Sequence, residues 1–258
     1  MPFTFSHPAV ILPATYLDKK YYCLSALIIG SMTPDFEYFI RMRDFSKYSH
    51  TWTGLFWFDI PLGLALLFLF HNVVRNTLIQ YLPFSLNVRF SVFEKFNWNQ
   101  YFRQHKLVVL SSLMVGIASH LLWDSFTHEG DYFTNLIPLL HDQYDFLGRT
   151  ANGATLLQYT SSLVGCIIMI IYLFRFPEGR NTQKENILNF WLIVLLIMLM
   201  VLDVRFYVGS LFRQHLRKHV IVTLISGALI GIITLSLLLK KDEEKEIFRK
   251  LHRVRHRS

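Results

Sequence analysis

Apolar residues along this chain come in long blocks separated by short polar stretches. Five blocks are nearly uncharged: Leu55 to Val73, Leu107 to Trp123, Thr155 to Phe174, Ile187 to Val204 and Val220 to Leu239. Each fits a transmembrane helix, which needs about 20 mostly apolar residues within a range of about 17–25. A large soluble core can bury one such block, but five in 258 residues predict insertion into a membrane. The fold class expected is therefore all-α, a polytopic helical bundle with about five transmembrane helices preceded by short N-terminal helices.

The chain reads as one integral membrane domain with three parts. Residues 1–54 form an N-terminal helical unit, 55–239 the bundle and 240–258 a basic tail. Within the first part, Pro8 to Tyr16 and Tyr22 to Met32 predict helices too short to span alone, and Thr33-Pro34-Asp35 ends the second. Met1 to Tyr22 lacks a basic start and is interrupted by Pro2, Pro8 and Pro13, unlike a cleavable signal. Gly227 and Gly231 in the last block have the spacing of close helix packing. Phe90, Phe93, Phe96 and Trp98 in the loop from Val74 to Lys106 predict that part of it lies on the membrane surface.

Charge adds an orientation. Only 17% of residues are charged, against about 25% in a soluble domain. With five spans and a cytoplasmic C-terminus, 16 of the 26 Lys and Arg fall inside and 10 outside, with Arg205, Arg213, Arg217 and Lys218 against the bias. The tail holds eight of them, which reads as an anchor near anionic lipid rather than a nucleic-acid site. Whatever the orientation, residues 1–54 and 120–154 are expected on one side. Cys23 and Cys166 lie in apolar stretches and read as small buried hydrophobes.

Those two regions hold the residues able to ligate a metal. His7, Asp35, Glu37 and His50 come from the first, and His120, Asp124, His128, His141 and Asp145 from the second. His120, Asp124 and His128 are spaced by four, which puts them on one helical face, and His141 and Asp145 repeat the spacing. Ionisable groups ending an apolar span are costly unless paired. A divalent cation, of zinc type for imidazole and carboxylate ligands, would offset that cost. Taken singly, these residues also read as hydrogen-bonded pairs, helix caps or surface groups. Asp35 or Glu37 is a candidate general base. Asp59, inside the first block, reads as a supporting partner of a ligand histidine, as a snorkelling side chain or as a partner of Arg205. His71 and Asp203 read as interfacial. His105, His215, His219, His252 and His256 read as surface residues.

Met1-Pro2-Phe3-Thr4-Phe5-Ser6-His7-Pro8, Gly30 to Tyr38, Ser49-His50-Thr51 and Ser119 to His128 resemble a family of uncharacterised bacterial membrane proteins, the domain of unknown function numbered 4184. The order His, Pro-Asp, Ser-His, His-x-x-x-Asp is also similar to membrane-bound metal-dependent hydrolases and, more distantly, to zinc-dependent phospholipases C. That second resemblance implies zinc held by Asp35, His50, His120 and Asp124. It implies a second ion at His7 with Asp124, and a third at His128, His141 and Asp145. Two features depart from the phospholipases: they ligate metal through the N-terminal amine, six residues before His7 here, and Asp145 stands where Glu is usual. The activity implied is hydrolysis of a phosphoester in a lipid or lipid-linked substrate, at the outer face of a bacterial inner membrane. A non-catalytic protein with a structural metal or a buried polar cluster is the alternative. A transporter using Asp59, His120 and Asp124 is a third reading.

Overall fold

A computed structural model describes residues 3–146, 148–209 and 216–255. Arg213, His215 and His256, weighed above, lie outside the described residues. Eight of the helical elements among the described residues frame the bundle and the site. They are α1 (Pro8–Ile11), α2 (Leu24–Met32), α3 (Phe36–Arg41), α4 (Trp52–Gln80), α5 (Lys106–Thr127), α6 (Gly153–Phe174), α7 (Ile187–Gly209) and α8 (Leu216–Arg255). Five stretches are long and apolar enough to cross a membrane: Trp52–Gln80, Lys106–Leu136, Gly153–Phe174, Ile187–Val208 and His219–Lys241. Each contains one of the five blocks, so the protein is an all-α, multi-pass membrane protein. The strands described are a hairpin between α5 and α6, β1 (Gln143–Phe146) against β2 (Arg149–Asn152).

The chain divides into two compact units: Met1–Leu67 with Asn99–Arg175, and Phe68–Trp98 with Phe176–Ser258. In the first, α2 lies parallel to α5 at a constant offset of 89 residues. Cys23 N–H donates to Ser112 Oγ at 2.8 Å, Leu27 O faces Gly116, and Ser31 O meets His120 Nδ1 at 2.8 Å. Small residues permit this approach. A Cβ on Gly116 would stand 2.4 Å from Leu27 O, and one on Gly30 2.5 Å from Leu113 O. Inside a membrane, where burial against lipid gives helices little drive to associate, such backbone proximity is a main source of packing energy. Ahead of α2, the α1 segment continues as a 3-10 turn over Leu12–Tyr16. Ile11 and Leu12 pack with Leu27, Tyr22 and, from the end of α6, Met169 and Tyr172. Cys23 is buried and Cys166 partly so, and neither is in a disulfide.

In the second unit the glycine spacing read from sequence does what it predicts. Gly227 of α8 faces Met198 of α7 and Gly231 faces Val194, an antiparallel contact close enough that a Cβ would meet backbone at 2.9 and 3.2 Å. Trp98 is 2% exposed and stacks on His71 with ring centroids 4.3 Å apart. Both are packed inside the protein rather than turned to its surface. Arg75, one turn from His71, bridges the ring nitrogen at 3.2 Å and Glu94 O at 3.2 Å, so this pair is fixed by internal hydrogen bonds.

Candidate metal centre

Four segments of the first unit bring acids and imidazoles together. Met32 leads into the Thr33–Asp35 turn, where Pro34 prevents α2 from continuing and Asp35 is left at the junction with α3. His50 follows the loop that ends at the N-cap of α4, where Thr51 Oγ1 accepts from Gly54 N–H. His120 and Asp124 share one face of α5, and His7 precedes α1.

Asp35 Oδ1, His50 Nε2, His120 Nε2 and Asp124 Oδ2 are all buried, and none makes a hydrogen bond. Each imidazole nitrogen faces each carboxylate oxygen. His50 lies 3.5 Å from Asp35 and 3.5 Å from Asp124; His120 lies 3.7 Å from Asp35 and 3.3 Å from Asp124. The ligand atoms of His50, His120 and Asp124 all lie within 4.8 Å of one another, close enough to hold one ion, and Asp35 borders that group through its contacts with both imidazoles. Buried polar atoms without hydrogen bonds are rare and call for a physical reason. Ligation of a cation provides one for all four at once.

The remaining atoms of these residues are tied elsewhere. His120 Nδ1 faces the Ser31 carbonyl, which only accepts, so Nδ1 carries a proton and Nε2 is turned to the two carboxylates. His50 Nδ1 is 2.9 Å from Ser49 Oγ. Asp35 Oδ2 accepts from Thr4 Oγ1, and Asp124 Oδ1 sits 3.2 Å from His7 Nε2. The His7 ring stacks on that of His120 at 4.0 Å, and His7, Asp35 and His120 form a second group close enough to hold an ion. Burial works to raise the Asp35 pKa, but the imidazoles of His120, His50 and His7 outweigh it and hold the carboxyl below its usual range. Asp35 is thus ionised at neutral pH, as a ligand must be. Burial and the Asp35 charge both push the Tyr38 hydroxyl upward.

Glu37 is corrected as a general base. Its carboxylate is saturated: Oε1 accepts from Arg41 Nε at 2.7 Å and Lys47 N–H at 3.0 Å, and Oε2 from Tyr48 N–H at 2.9 Å and Ser49 N–H at 2.8 Å. Burial opposes ionisation, but the three backbone donors and Arg41 prevail and bring its pKa down to about 2. A group so stabilised as an anion takes no proton near neutrality. It pins the loop that delivers His50. Asp35, the other candidate base, has one oxygen on Thr4 and the other among the four donors.

The third cluster does not assemble. His128 hangs at the end of α5 with Nδ1 3.3 Å from Asp124 O and 3.6 Å from Asp124 Oδ2. His141 ends a short helix, Pro138–His141, whereas Asp145 lies in β1 and accepts from Thr150 Oγ1 at 2.8 Å. Spacing by four defines a shared face only along a continuous helix, and the chain changes from helix to strand between them. Among the described residues, no group of three potential ligands includes His128, His141 or Asp145. Asp59 is fully buried with neither oxygen hydrogen-bonded, so it makes no hydrogen bond to a ligand histidine. Thr4, Ser31 and Ser49 were given no orienting role from the sequence. Only Ser49, adjacent to His50, left a local signal.

Fold and site together define a multi-pass helical membrane protein with a buried acid–imidazole cluster. Residues 1–237 match the family described as Domain of unknown function (DUF4184), and the chain belongs to that family. No curated protein and no solved structure is detectably similar to it.

Proposed function

We propose that this protein is a membrane-bound, metal-dependent hydrolase that acts on a phosphoester of a lipid or lipid-linked substrate. The carrying observation is the cluster of four buried donor atoms, each without a hydrogen bond, within which His50, His120 and Asp124 are close enough to hold one ion. Two imidazoles and two carboxylates suit zinc. One divalent cation also cancels the charge of Asp35 and Asp124, which removes the cost of two bare anions at membrane depth. Bound there, such a cation supplies Lewis acidity and lowers the pKa of a ligated water to about 7.

The protein's own groups have distinct parts in this reading. Ser31 and Ser49 orient the ligand imidazoles. His7 holds Asp124 Oδ1 and so keeps Oδ2 turned to the cation. The His128 side chain, 30% exposed with Nδ1 against a main-chain carbonyl, leaves Nε2 free to accept a proton at the open side of the centre. His50, 18% exposed, marks the open side of the centre. Trp52, Phe56 and Trp57 at the start of α4 are exposed and suited to contact acyl chains and headgroups. We place the protein in a bacterial inner membrane, with the centre toward the outer face and the C-terminal tail cytoplasmic. Its partners are membrane lipids and not nucleic acid.

A second reading follows from the same geometry, because four protein ligands around one ion are usual in structural zinc sites. Metal analysis of purified protein beside His120→Ala and Asp124→Ala, with a phosphoester lipid panel assayed before and after chelation, separates the two. Metal with chelator-sensitive turnover supports the hydrolase. Metal without turnover on any lipid supports the structural site. Negligible metal in all three proteins ends both.

A further inference from the structure

We infer that residues 8–32 form a re-entrant hairpin whose tip, Tyr16 to Tyr21, docks on anionic lipid headgroups at the membrane face opposite the metal centre. This goes beyond the proposed function and stands whether or not the cluster holds a metal.

The register of α2 on α5 carries the argument. Ser31 lies level with His120 and Cys23 with Ser112, eight residues earlier in α5. At about 1.5 Å per residue that is about 12 Å of depth, and Lys106 begins α5 about 9 Å further on. The chain segment preceding α2 therefore points away from the centre. The outgoing arm agrees: His7 is at Asp124, while Ile11 and Leu12 have reached Met169 and Tyr172 near the end of α6. Neither arm spans alone, but each descends from the centre to the far ends of α5 and α6. His120 is seven residues before the end of α5, so the centre lies about 21 Å from the Lys106 end of that helix, most of the ~30 Å hydrocarbon core.

The composition of the tip fits that position. Tyr16, Leu17 and Tyr21 are 87%, 58% and 63% exposed, and Asp18, Lys19 and Lys20 between them are exposed and charged. Three adjacent charges do not rest in hydrocarbon, whereas tyrosines beside lysines suit a headgroup layer. Arg103, Lys106 and Arg175, also exposed, belong to the same end of this unit. The other end mixes signs, with exposed Glu129, Asp131, Asp142 and Asp145 beside exposed Arg41, Arg43 and Lys47. Charge complementarity therefore selects anionic lipid at the tip. It also sharpens the topology. Moving Lys19 and Lys20 across turns 16 basic residues inside and 10 outside into 18 and 8, with the metal centre outside.

The test uses the full-length protein with Cys23→Ser and Cys166→Ser as background. Lys19→Cys and Glu129→Cys are each treated with a membrane-impermeant maleimide in right-side-out and inside-out vesicles. The expected result is Glu129→Cys labelled from outside and Lys19→Cys from inside. Labelling of both from one side overturns the hairpin. Lipid docking is read from Leu17→Cys in nanodiscs of zwitterionic lipid with and without phosphatidylglycerol. Anionic lipid should slow labelling at low salt, and Lys19→Glu/Lys20→Glu should remove about fivefold of that protection per lysine. Equal rates in both lipids overturn the docking while leaving the hairpin intact.

Discussion

Glu37→Gln tests whether the proposed metal centre depends on a carboxylate that never touches it. The substitution keeps the shape but puts an amide NH2 against two of the four donors. Charge-assisted hydrogen bonds contribute about 1.5–3 kcal/mol each, so losing two predicts a loss of roughly 3–5 kcal/mol. The pKa supplies a second measure. Its fall from 4.5 to about 2 corresponds to about 3 kcal/mol at 1.36 per unit. Arg41 is one-third exposed and water screens its share, which trims that to about 2 kcal/mol. The two together place the cost at about 2–4 kcal/mol. The folded value lies below the unfolded one. This stability is therefore present above pH 4.5 and lost as pH falls through 2. The Tm in detergent should fall at pH 7, and the gap between wild type and variant should narrow between pH 4.5 and 2. Because the loop over Lys47 to Ser49 carries His50, zinc affinity by chelator competition should fall 10–100-fold. A variant with a lowered Tm and unchanged zinc affinity would refute the positioning role. An unchanged Tm would refute the hydrogen-bond reasoning itself.

Other substitutions separate ligand, orienter and bystander. Chelation should lower the wild-type Tm and added zinc restore it, since a ligand of the folded state alone stabilises it. Thr4→Val removes the donor to Asp35 Oδ2 and should cost about 1 kcal/mol in Tm measurements with about a tenfold loss of zinc affinity. Gly116→Ala sets a methyl 2.4 Å from Leu27 O and should cost about 1–3 kcal/mol, with zinc affinity reduced as Ser31 moves off His120. His141→Ala and Asp145→Ala should leave bound metal at the wild-type level, measured by elemental analysis; a loss in either would restore the third cluster.

The sequence by itself determined the membrane class, because a run of about 20 apolar residues has few other uses in so short a chain. It also determined the pairing of His120 with Asp124, since four residues along one continuous helix share a face by geometry alone. The same rule misled at His141 and Asp145, where helix gives way to strand before the spacing is complete. Glu37 and Asp35 looked equivalent because both are carboxylates two residues apart. Only folding of the loop over Lys47 to Ser49 onto one, and convergence of three other segments on the other, made one an anchor and the other a donor. The hairpin of residues 8–32 was legible as two short helices but not as a descent through the membrane. Its depth depends on where α2 meets α5, and that register rests on backbone contact at Gly30 and Gly116, a tertiary fact with no local periodicity to announce it.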